Sequence, residues 1–168
     1  MSTDKIENHI TNYLTGYAQK NALDFISYLT KHEMQFERGG GYWEKKLYWC
    51  VNYKGQSVCY ILIYSPASTI DSTEPWVVWS DDSYTNPFED HQLDECIKEI
   101  AWKNVDICGN VNGDCGGCKG KISKIIFGKK FDNVCGTIFR FNNPDADAVE
   151  CAKKIVAIRK HVIDSKVG

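Results

Sequence analysis

The sequence predicts an α+β fold: a single domain with an antiparallel sheet, on which N-terminal helices, a middle helix and a C-terminal helix pack. Three observations predict it. Residues near 4–18 and from 21 onward carry apolar side chains at helical spacing. Two strictly alternating runs are joined by a short glycine-containing turn. Along the chain come helices, a hairpin and a strand, a helix, strands, then a helix, which is not an alternating βαβ pattern. With 168 residues and no internal repeat or Pro/Ser-rich linker, residues 1–168 read as one domain.

The elements follow in order. Ile6, Ile10, Leu14 and Tyr17 define the first helix, with Ser2, Thr3 or Asp4 as its cap. Asn21 is placed to cap a second helix, whose apolar face is Leu23, Ile26 and Leu29, and Arg38-Gly39-Gly40-Gly41 ends this helical region. Leu47, Trp49, Val51 and Tyr53 alternate with polar or smaller residues, as do Val58, Tyr60, Leu62 and Tyr64 after Lys54-Gly55-Gln56, which predicts a hairpin. Trp76 to Ser80 is a third strand. A helix from about Gln92 to Asn104 buries Leu93, Ile97, Ile100, Ala101 and Val105. Strands follow at 122–127 and 135–141. In the last helix Asn143 is the expected cap and Pro144 suits the first position.

Net charge of −2, 43% hydrophobic and 25% charged residues describe an ordinary globular protein with no general drive toward nucleic acid or anionic membrane. The N-terminus has no apolar signal core, and no apolar run approaches the ~20 residues a membrane-spanning helix needs. These features predict a cytoplasmic protein whose eight cysteines sit in a reducing environment.

The chemistry concentrates in the cysteine-rich loop 108–118, inserted between the middle helix and the C-terminal strands. It reads Cys-Gly-Asn-Val-Asn-Gly-Asp-Cys-Gly-Gly-Cys. Cys115-Gly116-Gly117-Cys118 has the spacing that lets two thiolates grip one ion, with small residues between them to permit the turn. Cys108 precedes it by seven positions, and Cys135 follows by 17 on a strand that returns beside the loop. The expected ligand set is Cys108, Cys115, Cys118 and Cys135 around structural zinc, with Cys96 or Cys151 as substitutes for the fourth ligand. Cysteine ligands alone leave an iron–sulfur cluster open. A reduced, metal-free loop is the plain alternative. A thiol-disulfide oxidoreductase using Cys115 and Cys118 is the catalytic one, against which the glycines and Lys119-Gly120-Lys121 argue, since they do not open a helix. Burial alone accounts for Cys50, Cys59, Cys96 and Cys151.

Other constellations are weaker. Lys119, Lys121, Lys124, Lys129 and Lys130 form a basic run that a nucleic-acid-associated regulator would use, or that simply rims a hairpin. Asp81-Asp82-Ser83 and Glu89-Asp90-His91 suit a general base or hard-metal site, but equally a polar surface turn. His9, His32 and His161 lie on helical segments without a partner in sequence. Gly113 to Lys121 lacks the glycine spacing of a phosphate loop, and Ile122 stands where Ser or Thr would bind Mg²⁺. Of five Trp, Trp43, Trp49, Trp76 and Trp79 are candidates to line a pocket for a planar or apolar small molecule, with core packing as the competing role.

Several phrases are distinctive: Phe36-Glu37-Arg38-Gly39-Gly40-Gly41-Tyr42-Trp43, Glu99 to Gly109, Ile126 to Cys135 and Asn143 to Cys151. They resemble a small family of proteins from anaerobic bacteria, sometimes labelled transcriptional-regulator-related. The resemblance covers most of the chain and implies no activity. The family's cysteine loop is the more compact C-x-x-C-x-x-C, beside which Val111-Asn112-Gly113-Asp114 reads as an insertion. The resulting expectation is a non-enzymatic, zinc-holding domain with a small-ligand-binding or regulatory role.

Overall fold

A strand of 14 residues organises the molecule. The computed structural model describes residues 4–40, 47–65, 74–81, 88–89, 91–109 and 122–167, apart from the Val167 side chain. Among these residues four helices, α1 (Ile6–Tyr13), α2 (Gly16–Lys31), α3 (Glu95–Lys103) and α4 (Ala146–Val167), accompany seven strands. These are β1 (Gln35–Arg38), β2 (Leu47–Tyr53), β3 (Gln56–Ile63), β4 (Trp76–Ser80), β5 (Val105–Ile107), β6 (Ile122–Ile126) and β7 (Lys129–Asn142). The strands form one antiparallel sheet in the order β1-β2-β3-β4-β7-β5, with β6 also paired to β7. The α+β expectation holds: helices from both ends of the chain pack on an antiparallel sheet.

The β2–β3 hairpin forms where the alternation places it. Its two-residue turn puts Lys54 at φ 49° and Gly55 at φ 75°, the left-handed pair whose twist matches the flanking strands. Trp49, Val51 and Tyr53 on β2, Ile61 and Ile63 on β3, and Trp76 and Val78 on β4 share the buried face. There Trp76 meets Phe25 of α2, and Trp49 meets His9 of α1. Each buried indole removes roughly 150–250 Å² from water, a gross gain of about 4–6 kcal/mol at ~25 cal/mol/Å².

At the hairpin turn, Asp164 of α4 accepts from Tyr53 Oη at 2.9 Å, Lys54 Nζ at 2.7 Å and Lys160 Nζ at 3.1 Å. At the helix's other end, Cys151 hydrogen-bonds the Ile97 carbonyl of α3. α3 is tied to β6 by Trp102 Nε1–H donating to the Ile126 carbonyl at 2.7 Å. Phe88, fully buried, stands edge-on to Phe127 and Phe139 at 5.5 and 5.1 Å. No helix among the described residues is long and apolar enough to cross a membrane.

The structure departs from local periodicity at several points. The first helix stops at Tyr13, and Gly16 (φ 57°) turns the chain into α2, which begins five residues before Asn21. Asn21 instead donates to the Pro144 carbonyl. Residues 35–38 are not the tail of a helical region but strand β1, because pairing with β2 supplies their hydrogen bonds. Val105 leaves the middle helix for β5, where it pairs with Phe139. β7 begins at Lys129, reached by a tight turn at Phe127-Gly128. The cap of α4 is Asp145, whose carboxylate accepts from Ala148 N–H at 2.8 Å, so the helix starts two residues beyond Pro144.

β7 cannot be a regular strand throughout. Ile138 is fully buried at φ 64°, a left-handed conformation that costs a β-branched residue about 1–3 kcal/mol. Ser80, 3% exposed, resolves the irregularity: its hydroxyl donates to the Thr137 carbonyl and accepts from Phe139 N–H at 3.2 Å. One side chain thus satisfies the backbone on both sides of a bulge.

Two predictions follow from these ties. Ser80→Ala leaves the Thr137 carbonyl and Phe139 N–H without their partner and is expected to cost about 1–3 kcal/mol in urea unfolding; a loss below about 0.5 kcal/mol would show that the hydroxyl does not hold the bulge. Lys54, Lys160 and Tyr53 hold the Asp164 carboxyl well below the usual carboxylate range. A depressed folded value contributes stability that is present above the unfolded pKa of about 3.9 and is lost as pH falls toward the folded value. Asp164→Asn should therefore flatten the acid limb of stability against pH below about pH 4, and an unchanged limb would contradict that role.

Candidate functional site

Trp79 and Cys135, one from each of the two regions singled out in the sequence, lie on one face of the sheet. Parity along each strand sets helix-facing residues against those on the opposite side. On that opposite side Glu37 pairs with Cys50, Cys50 with Tyr60, Tyr60 with Trp79 and Trp79 with Arg140. A single row therefore crosses β1, β2, β3, β4 and β7, with a carboxylate at one end, a guanidinium at the other, and a thiol, a phenol and an indole between them.

Each member is positioned by its neighbours. Gly39 donates its N–H to the Tyr48 carbonyl at 2.8 Å, and a Cβ there would lie 1.9 Å from Tyr48 Cδ1, so only glycine lets the ring pass. Tyr48 stacks on Tyr60 with centroids 5.8 Å apart and planes 9° from parallel. Tyr60 donates to Asp81 at 2.6 Å. Burial pushes both phenols above their ordinary pKa, so both stay protonated at neutral pH. Burial likewise pushes the Cys50 thiol up, and it donates to Asn52 Oδ1 at 3.3 Å. Arg140 lies over the Trp79 ring at 5.2 Å, with its Nε–H on Asn142 Oδ1 at 2.9 Å.

The row runs on toward the cysteines through Asp106 on β5. Desolvation raises the Asp106 pKa, opposed by the Arg140 charge and by a hydrogen bond from Cys135. Cys135 and Arg140 are five positions apart, which in a regular strand would put them on opposite faces. Two steps of β5, from Val105 to Ile107, span five of β7, from Phe139 to Val134, and this irregularity, which includes Ile138, restores their parity, which is how Asp106 meets both.

At this end of the sheet Val134 has Ile107 of β5 on one side and Ile122 of β6 on the other. Cys108 continues the β5 ladder, its N–H donating to the Asn133 carbonyl at 2.7 Å. Of the four expected metal ligands, Cys108 and Cys135 are thus brought to adjacent strands, half-buried, while Cys115 and Cys118 lie outside the described residues. Among the described residues no group of three His, Cys, Asp or Glu side chains is close enough to hold a metal ion.

The described tryptophans do not line one pocket. Trp49 and Trp76 are 1% and 0% exposed in the helix-covered core, whereas Trp79 is half-buried on the opposite face; Trp43 lies outside the described residues. The alternation decides this: Trp76 and Trp79 are three positions apart on one strand and must point to opposite sides. Of the basic run, Lys130 pairs with Asp132 at 3.7 Å and Lys129 lies over the Trp102 and Phe131 rings, while Lys119 and Lys121 fall outside the described residues. His9 gains a partner in Asp4, and His161 packs edge-on to His91. Sequence reasoning passed over Tyr48, Tyr60, Asp106 and Arg140. The first two belonged to a legible alternation, but which face would be free of helices was not legible.

No family model, curated protein or solved structure matches this chain. The chemistry of these residues rests on their own geometry.

Thiol accessibility gives a direct check. Cys96 is exposed, Cys50 is half-buried, and Cys151 is buried with its pKa pushed up to about 12. Brief alkylation at about pH 8, mapped by mass spectrometry, should label Cys96 first, Cys50 slowly and Cys151 only after denaturation. Early labelling of Cys151 in native protein would contradict the packing of α4 on α3.

Proposed function

We propose that this chain is a non-enzymatic, cytoplasmic zinc-binding module with a regulatory role, its metal held by Cys108, Cys115, Cys118 and Cys135. One observation carries the reading. The cysteine-bearing segment leaves β5 on one side of Val134 and resumes in β6 on the other, with Cys135 next to Val134 on the strand between. Two strand spacings separate those points by about 10 Å. Cys135 therefore lies on the strand between the two ends of that segment, and Cys108 stands at its start. Tetrahedral zinc with Zn–S near 2.3 Å needs sulfurs about 3.8 Å apart, a cluster that a C-x-x-C with two glycines between its thiols suits. Cys115 and Cys118 enter the set from that spacing.

Thiolate ligands favour zinc or iron over hard cations. A closed set of four sulfurs leaves no open coordination position, which is the arrangement of a structural rather than a catalytic centre. Burial raises the pKa of Cys50 and Cys151, which weakens a nucleophilic role for either.

Elemental analysis of protein purified without chelator should find about one zinc per chain, and Cys115→Ser with Cys118→Ser should remove it. Less than about 0.2 metal per chain would overturn the proposal. Brown protein containing iron and acid-labile sulfide would replace zinc by an iron–sulfur cluster on the same ligands.

A further inference from the structure

We infer that Arg140 and Trp79 form an anion-recognition point on the sheet face opposite the helices, and that its ligand is a small molecule bearing one carboxylate on a flat, apolar body. The inference is independent of whether metal is bound. Arg140 is half-buried and held from two directions, by Asn142 on Nε and by the indole beneath it. Its two terminal nitrogens have no hydrogen-bond partner, and no carboxylate lies within ion-pair distance, among the described residues. A partly desolvated guanidinium, fixed in orientation and without an ion-pair partner among the described residues, is a fork presented for two parallel N–H···O bonds, which a carboxylate matches. Asp106 lies close enough to feel its charge but does not pair with it.

The surroundings specify the rest of the ligand. Tyr60 stands directly across from Trp79 and is stacked on Tyr48, so flat apolar surface lies beside the guanidinium. Further along, Asp81 is fixed by the Tyr60 hydroxyl, and Glu37 ends the row. The Glu37 carboxylate repels a second negative group at the far end of a ligand. A monoanion with an aromatic body therefore fits better than a nucleotide, a polyphosphate or a nucleic-acid strand.

The test uses the whole chain, 2-naphthoate as probe, and calorimetric titration. Uncharged 2-naphthamide tests the need for charge, and inorganic phosphate tests the need for the flat body. The expected result is saturable binding of 2-naphthoate with the other two at least about tenfold weaker. Arg140→Gln should weaken 2-naphthoate at least about tenfold, and Arg140→Lys, which keeps the charge but loses the fork, should fall between. Near-UV circular dichroism and metal content measured on the same samples separate loss of the fold or of zinc from loss of this site. If Arg140→Gln does not fold, Arg140→Lys decides alone. Equal binding of the amide, equal binding of phosphate, unchanged affinity in a folded Arg140 variant, or no saturable binding below about 10 mM would each overturn the inference.

Discussion

Strand β7 has to satisfy two halves of the sheet that do not share one register. Its C-terminal end pairs with β4, its N-terminal end with β6, and β5 lies along its other side. A regular strand cannot serve all three while keeping Phe139 and Phe141 in the core. Around the left-handed Ile138 five steps of β7 stand against two of β5, and the Ser80 hydroxyl takes up the Thr137 carbonyl and the Phe139 N–H. A local cost of about 1–3 kcal/mol is offset by apolar burial on both sides of the bulge.

The consequence reaches the chemistry. The bulge resets the alternation so that Cys135 and Arg140, an odd number of positions apart, both meet Asp106. The cysteine end of the sheet and the aromatic row then form one continuous surface opposite the helices. A metal held at Cys135 would stand one carboxylate away from the guanidinium on Trp79. Such a path would connect a metal at Cys135 with a ligand at Arg140 through packed side chains.

The two faces divide the labour by residue type. Trp49, Trp76, Phe25 and the aliphatic residues of α1, α2 and α4 make the stabilising core. The opposite face holds Tyr48, Tyr60 and Trp79, whose flat rings come with polar atoms, among ionisable groups left only partly solvated. Gly39 shows how closely this face is fitted, since no larger residue would clear the Tyr48 ring.

Much of the architecture was legible locally. Period-two alternation from Leu47 to Tyr64 and the Lys54-Gly55 turn specified the hairpin, and 3.6-residue spacing specified four helices, because these patterns are set by neighbours in sequence. What the chain alone did not disclose was set by partners distant in sequence. Residues 35–38 become a strand only beside β2, Val105 is drawn from a helical stripe into β5 by Phe139, and Asp145 rather than Asn143 caps α4. The site divides the same way. Cysteine spacing marked the loop and supplied the proposed ligand set, since ligand type and spacing are sequence properties. Which face Trp79 shares with Arg140, and that Cys135 reaches it through Asp106, depended on the irregular stretch of β7 around Ile138. The parity of a strand is fixed by its pairing, so only the assembled sheet decided it.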